Sequence, residues 1–151
     1  MRIRPRRAGQ SEQRRNVAEP GAAVTDTHAL LFHAAGGRAL GPKAAVYFRA
    51  AEEGRALIYV PMAVLLEVTL LARSGRGELR VPPAVFFSAL FMNPAYQPFD
   101  LTPEQVFTAD ELRFNRDPYD ALIVAAAQIL ELPLMTRDTA IVASKAVKVI
   151  W

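Results

Sequence analysis

The stretch NRDPYDALIVAAAQILE, residues 115–131, places opposite demands on its two ends. Asp117 and Asp120 stand three apart across Pro118, and the next charge is Glu131. Proline suits the first helical position, with Asp117 before it as N-cap and Asp120 in the first turn. The body from Leu122 to Leu130 is apolar nearly all round, so the spacing predicts a helix that runs through the core. Its buried start then carries two carboxylates inward. A carboxylate there is costly unless it is capped, paired or bound to a cation.

Working outward, the other segments supply short apolar strands and further acids. Ala22–Thr25 is a strand candidate, and Asp26-Thr27 follows it and opens an apolar helix to Ala35. Lys43–Glu53 has the pattern of an amphipathic helix stopped by Gly54, and Leu57–Val60 of a second strand. Met62–Ala72 is a helix whose one acid, Glu67, lies among Val64, Leu65, Leu66, Val68, Leu70 and Leu71. Ala84–Met92 and Pro103–Leu112 are further helices, the latter capped by Thr102. Gln97–Leu101, Leu134–Thr136 and Val147–Ile150 complete the strands, and Ala140–Ser144 is a helical turn after Asp138. Buried strands alternating with helices predict an α/β fold around a mainly parallel central sheet flanked by helices.

Composition narrows the chemistry. A chain of 151 residues, 52% hydrophobic, fits one domain with one core. It has no cysteine, so a thiolate zinc site and a disulfide scaffold are excluded. Its two histidines, His28 and His33, miss the spacing that sets two ligands on one helical face; His28 is expected as a packed helix residue. The longest uncharged run, Val81–Phe99, is broken by four prolines, so no membrane span is expected. The net charge of +3 divides unevenly: residues 1–20 hold six arginines against two glutamates, +4, leaving 12 basic and 13 acidic residues, −1, for 21–151. The expectation is a disordered basic tail over 1–20 and a single domain over 21–151.

Asp26 and Asp138 each follow a predicted strand, and ligands of open α/β sheets gather beyond the carboxyl ends of strands. Asp120 opens the helix between those strands in sequence. Taken singly, Asp26, Asp117 and Asp138 are also plain helix caps. Glu67 has no such use, and no Lys or Arg within one helical turn to pair with it. Clustered carboxylates with no basic partner favour a hard divalent cation, and with it hydrolysis of phosphate esters. The nucleophile-elbow, P-loop and dinucleotide-binding motifs are absent.

Four motifs then carry a resemblance: Asp26-Thr27-His28-Ala29-Leu30-Leu31, Glu67 in the helix after the second strand, Asp117-Pro118-Tyr119-Asp120 before an Ala-rich helix, and Leu132-Pro133-Leu134-Met135-Thr136-Arg137-Asp138. In this order they resemble the PIN domain over residues 22–151, and most closely the VapC toxins of type II toxin–antitoxin modules. The resemblance implies a cytoplasmic endoribonuclease dependent on Mg²⁺ or Mn²⁺, with Asp26, Glu67, Asp120 and Asp138 as catalytic and metal-binding acids and Asp117 as an additional one. It also implies an RNA substrate, a cognate antitoxin and a homodimer. Many relatives carry His just before the Asp-Pro motif and Arg just after it, where this chain has Asn115-Arg116 and Ala121. Arg116 and Arg137 flank two of the acids as candidate substrate-binding residues, with solvated surface arginines as the alternative. Thr27 or Thr136 is a candidate for orienting a metal-bound water. The other readings are a catalytically inert binding module of the same fold and a nuclease acting on structured DNA; intact acids weigh against the first.

Overall fold

The structure, a computed structural model, describes residues 20–76 and 79–151; the basic tail falls outside them but for Pro20. In chain order the elements are β1 (Ala22–Thr25), α1 (Thr27–Ala34), α2 (Pro42–Glu52), β2 (Leu57–Pro61), α3 (Met62–Arg73), α4 (Pro83–Leu90), β3 (Tyr96–Phe99), α5 (Pro103–Glu111), α6 (Pro118–Leu130), β4 (Leu134–Met135), α7 (Thr139–Ser144) and β5 (Val149–Ile150).

The five strands form one parallel sheet in the order β3-β2-β1-β4-β5. With β1 at its centre, Val24 pairs with Tyr59 on one side and Leu134 on the other. The strands are apolar because helices flank the sheet, and Val24, Ile58, Val60, Leu134 and Met135 are fully buried. Pro98 is admitted because β3 is an edge strand, where one ladder donor can be spared.

Helix α6 meets the expectation for a core helix. Ile123 through Ala127 are buried without a break, and five consecutive residues cover more than a full helical turn. It packs on β1 and β2 and against α3 and α5. Alanines allow that close approach, while Ile123 and Val124 fill the core; full burial of such a side chain contributes about 1.5–3 kcal/mol. Past α6 the chain turns through Glu131, left-handed at φ 54°. Leu132 N–H then bonds the Ala127 carbonyl, and the Pro133 carbonyl accepts Val24 N–H at 2.9 Å. That bond starts β4 alongside β1 and sets the two strand ends next to each other.

The end of α1 farther from Asp26 is held by a polar cluster. His33 stacks on Phe48 with ring centroids 4.3 Å apart, and its Nε2 lies 3.1 Å from both Glu52 Oε1 and the Tyr96 hydroxyl. The cluster joins α1, α2 and β3. None of the described helices is long and apolar enough to cross a membrane.

Candidate active site

Strand order reverses at β1, whose neighbours β2 and β4 run to opposite edges. Asp26 follows β1 and Asp138 follows β4, so both stand at this switch point, where parallel sheets collect ligands. Asp26 is only 6% exposed. It caps α1, its Oδ1 accepting Ala29 N–H at 2.7 Å. Burial pushes its carboxyl above the ordinary 3.8, against the Thr136 hydroxyl, the Ala29 N–H and the nearby His28, all of which favour the anion; the charge of Glu67 raises it further. Asp138 caps α7 through Ile141 N–H at 2.9 Å, and its own N–H donates to Thr136 Oγ1 at 3.1 Å. The fully buried Thr136 therefore serves both acids.

Asp120 lies in the first turn of α6, half-buried. Its Oδ2 accepts from Asn115 Nδ2 at 2.8 Å. Its carboxyl is raised to about 6, first by burial, then by Asp117, with Asp138 and Glu67 adding while Asn115 opposes. Asp117 is the N-cap, its Oδ1 accepting from Tyr119 N–H at 2.8 Å and Asp120 N–H at 3.3 Å. Glu67 comes from the middle of α3, half-buried, and makes no hydrogen bond or ion pair among the described residues. Its charge acts on Asp26 and on Asp120 alike. Four helices distant in sequence thus bring Asp26, Glu67, Asp120 and Asp138 into one electrostatic neighbourhood.

As they stand, no three acidic or histidine side chains among the described residues are gathered tightly enough to hold a metal ion. The donor set nonetheless suits a hard divalent cation. It is all oxygen, its charges repel one another, and Thr27 Oγ1, next to Asp26, is buried without a partner among the described residues. Mutual repulsion keeps like charges apart, and a shared cation reverses its sign.

The remaining candidates fall around the rim. Arg116 is exposed and borders a groove of about 500 Å³ with Arg113, Asn115, Asp117 and Pro118. Arg137 is exposed too, but not free: its guanidinium lies 4.7 Å from the Phe32 ring centroid and 5.8 Å from that of Trp151. His28, expected as a packed residue, is exposed, because it lies on the outer face of the first turn of α1 while Ala29 and Leu30 turn inward. Sequence reasoning missed the role of Asn115, which besides gripping Asp120 accepts Asp117 N–H on its Oδ1 at 3.1 Å. An Asn two residues before an Asp-Pro helix start is the turn signal that pointed there.

No curated protein matches the sequence. Solved structures share the fold. A toxin–antitoxin complex from Klebsiella pneumoniae aligns with TM-score 0.57 and 19% identity over 85% of this chain and 96% of that one. VapBC2 from Rickettsia felis, bound to a DNA fragment from its promoter, aligns with TM-score 0.62 and 12% identity over 85% and 97%. FitAcB from Neisseria gonorrhoeae gives 0.59 and 16% over 85% and 96%. The family model of the PIN domain matches residues 23–146, from the strand before Asp26 to the loop beyond Asp138. With a parallel sheet of this order and a family model that spans most of it, the chain belongs to the PIN-domain family.

Proposed function

We propose that this protein is a Mg²⁺- or Mn²⁺-dependent endoribonuclease and the toxin of a type II toxin–antitoxin pair. The observation that carries the reading is Glu67: an acid with no basic partner among the described residues, the one acid of a mostly apolar helix, whose charge reaches both Asp26 and Asp120. Asp26, Glu67, Asp120 and Asp138 would hold the cation, with Asp117 beside them. When bound, the cation supplies an acidified water and neutralises charge developing on the phosphate.

The chain's own residues provide position. Ala29 N–H fixes Asp26, Ile141 N–H fixes Asp138, and Asn115 fixes Asp120, so three carboxylates are oriented before any ligand arrives. Arg116 and Arg137, exposed on the rim, meet the phosphates of the entering RNA strand.

The toxin assignment draws support from the fold neighbours, which are solved as toxin–antitoxin complexes. It draws more from α3 and α4, where Leu66, Leu70 and Val85, with Met92 just beyond, stay exposed. Such a surface suits an amphipathic antitoxin segment or the second copy of a homodimer acting in the cytoplasm. The test is Asp26→Asn and Asp120→Asn. Each removes a carboxylate charge with little change of shape, and RNA cleavage should fall by at least about a hundredfold, as for other groups that position a reacting charge. Mn²⁺ should raise the melting temperature of the parent more than that of either variant. Two variants that cleave RNA like the parent would sink the proposal.

A further inference from the structure

We propose that His28, Phe32, Arg137 and Trp151 form a stacking platform for an unpaired nucleobase of single-stranded RNA, beside the acidic site. The assignment rests on the ribonuclease reading above and deepens it. His28 and Phe32 are four apart on α1, hence on one helical face, with ring centroids 6.2 Å apart. Phe32 meets Trp151 edge to face, also at 6.2 Å. The Arg137 guanidinium covers both rings from the turn between β4 and α7. Four residues from three chain segments thus make one continuous aromatic and cationic surface.

Its location ties it to the chemistry. His28 is close enough to Asp26 to favour that carboxylate's ionised form, and Arg137 directly precedes Asp138. His28 and Arg137 are exposed, and Phe32 and Trp151 only half-buried, so the rings are not consumed by the core. Arg137 makes no ion pair among the described residues. A guanidinium lying over a ring can offer its N–H edge to a phosphate and its plane to a base. Trp151 packs so closely on Gly41 that a Cβ there would collide with it. A platform ordered in advance loses little freedom on binding. Unpaired bases are the ligands such surfaces take in single-stranded RNA recognition, whereas the bases of a duplex are already stacked.

Trp151 is the only tryptophan, so its fluorescence reports on the platform itself. The full chain, in EDTA to prevent cleavage and at low salt, is titrated with a short single-stranded oligoribonucleotide, its abasic counterpart and a duplex of the same length. Quenching by the single strand is expected, with affinity about tenfold above that for the abasic strand. Arg137→Lys, which keeps the charge and loses the plane, and His28→Ala should each weaken binding several-fold, circular dichroism confirming that these exposed substitutions leave the fold intact. Equal affinity for abasic and intact strands, absent quenching, or variants that bind like the parent overturns the platform. Cleavage by the parent in Mn²⁺ is scored separately. RNA cleaved without quenching removes the platform and leaves the nuclease reading. Quenching without cleavage removes the nuclease reading and leaves a base-binding site. Quenching by an acidic peptide in place of RNA overturns the platform in favour of a protein partner.

Discussion

Asn115 shows how much the site depends on residues that carry no charge. Its amide donates to Asp120 and accepts from the Asp117 backbone, joining the loop to the helix start through one side chain. Asn115→Ala should weaken Mn²⁺ binding by roughly tenfold, the lower end of what losing a partner behind a metal ligand costs. Isothermal titration of Mn²⁺ decides it, and unchanged affinity would reduce Asn115 to a turn residue. Asp120 itself predicts a pH dependence. Its carboxyl titrates at about 6 in the folded chain against an ordinary 3.8, so between those values the native state holds more protons than the unfolded one. Without metal, Asp120 therefore lowers stability as pH rises from about 4 to about 6, and the buried Asp26 adds in the same direction, while Glu52, held low by Tyr96, opposes only at the acid end of this window. A cation favours the ionised carboxylates, so the same calorimetric series in Mn²⁺ should flatten, and Asp120→Asn should shrink the metal-free slope. A melting temperature that rises through this window would contradict the assignment. Of these residues the acids were legible in the sequence, because a charge in an apolar run stands out. The sequence marks Thr136 only as a candidate for orienting a water; its contacts with Asp26 and with the Asp138 N–H were not legible, since these partners meet only once β1 and β4 are paired.

Elements were legible almost to their ends. Period, caps and prolines located every helix and strand within a few residues, since Asp26, Thr102, Asp117 and Asp138 all cap the helices that follow them. Asp117 has a capping role that can be separated from charge. Its carboxylate accepts two backbone N–H groups, and an Asn side chain supplies the same acceptor. Asp117→Asn should leave stability nearly unchanged, whereas Asp117→Ala should cost about 0.5–2 kcal/mol by urea unfolding. Activity lost in Asp117→Asn at unchanged stability would assign this residue to the metal site as well as to the helix.

Strand order is a property of the whole molecule, and sequence reasoning went no further than a mainly parallel sheet. Which strands adjoin β1 depends on how α3 and α6 pack across it, and no local pattern encodes that. The basic tail is the other question at this scale. Every buried apolar residue of the described chain lies between Ala23 and Ile150, so removing residues 1–19 takes nothing from that core. The shortened protein should melt as the parent does and still cleave RNA, with binding that is weaker and less sensitive to salt as cationic contacts are lost. A truncation that does not fold would instead show the tail packed on the domain. The central position of β1 also governs timing. A ribosome makes Asp26 more than a hundred residues before the strand that pairs beside it, which carries Thr136 and Asp138 at its end. A nascent chain carries its acids apart, and no fragment lacking β4 can assemble them. Under the proposed ribonuclease activity, a chain still on the ribosome cannot cut the message being read until β4 has emerged and paired with β1.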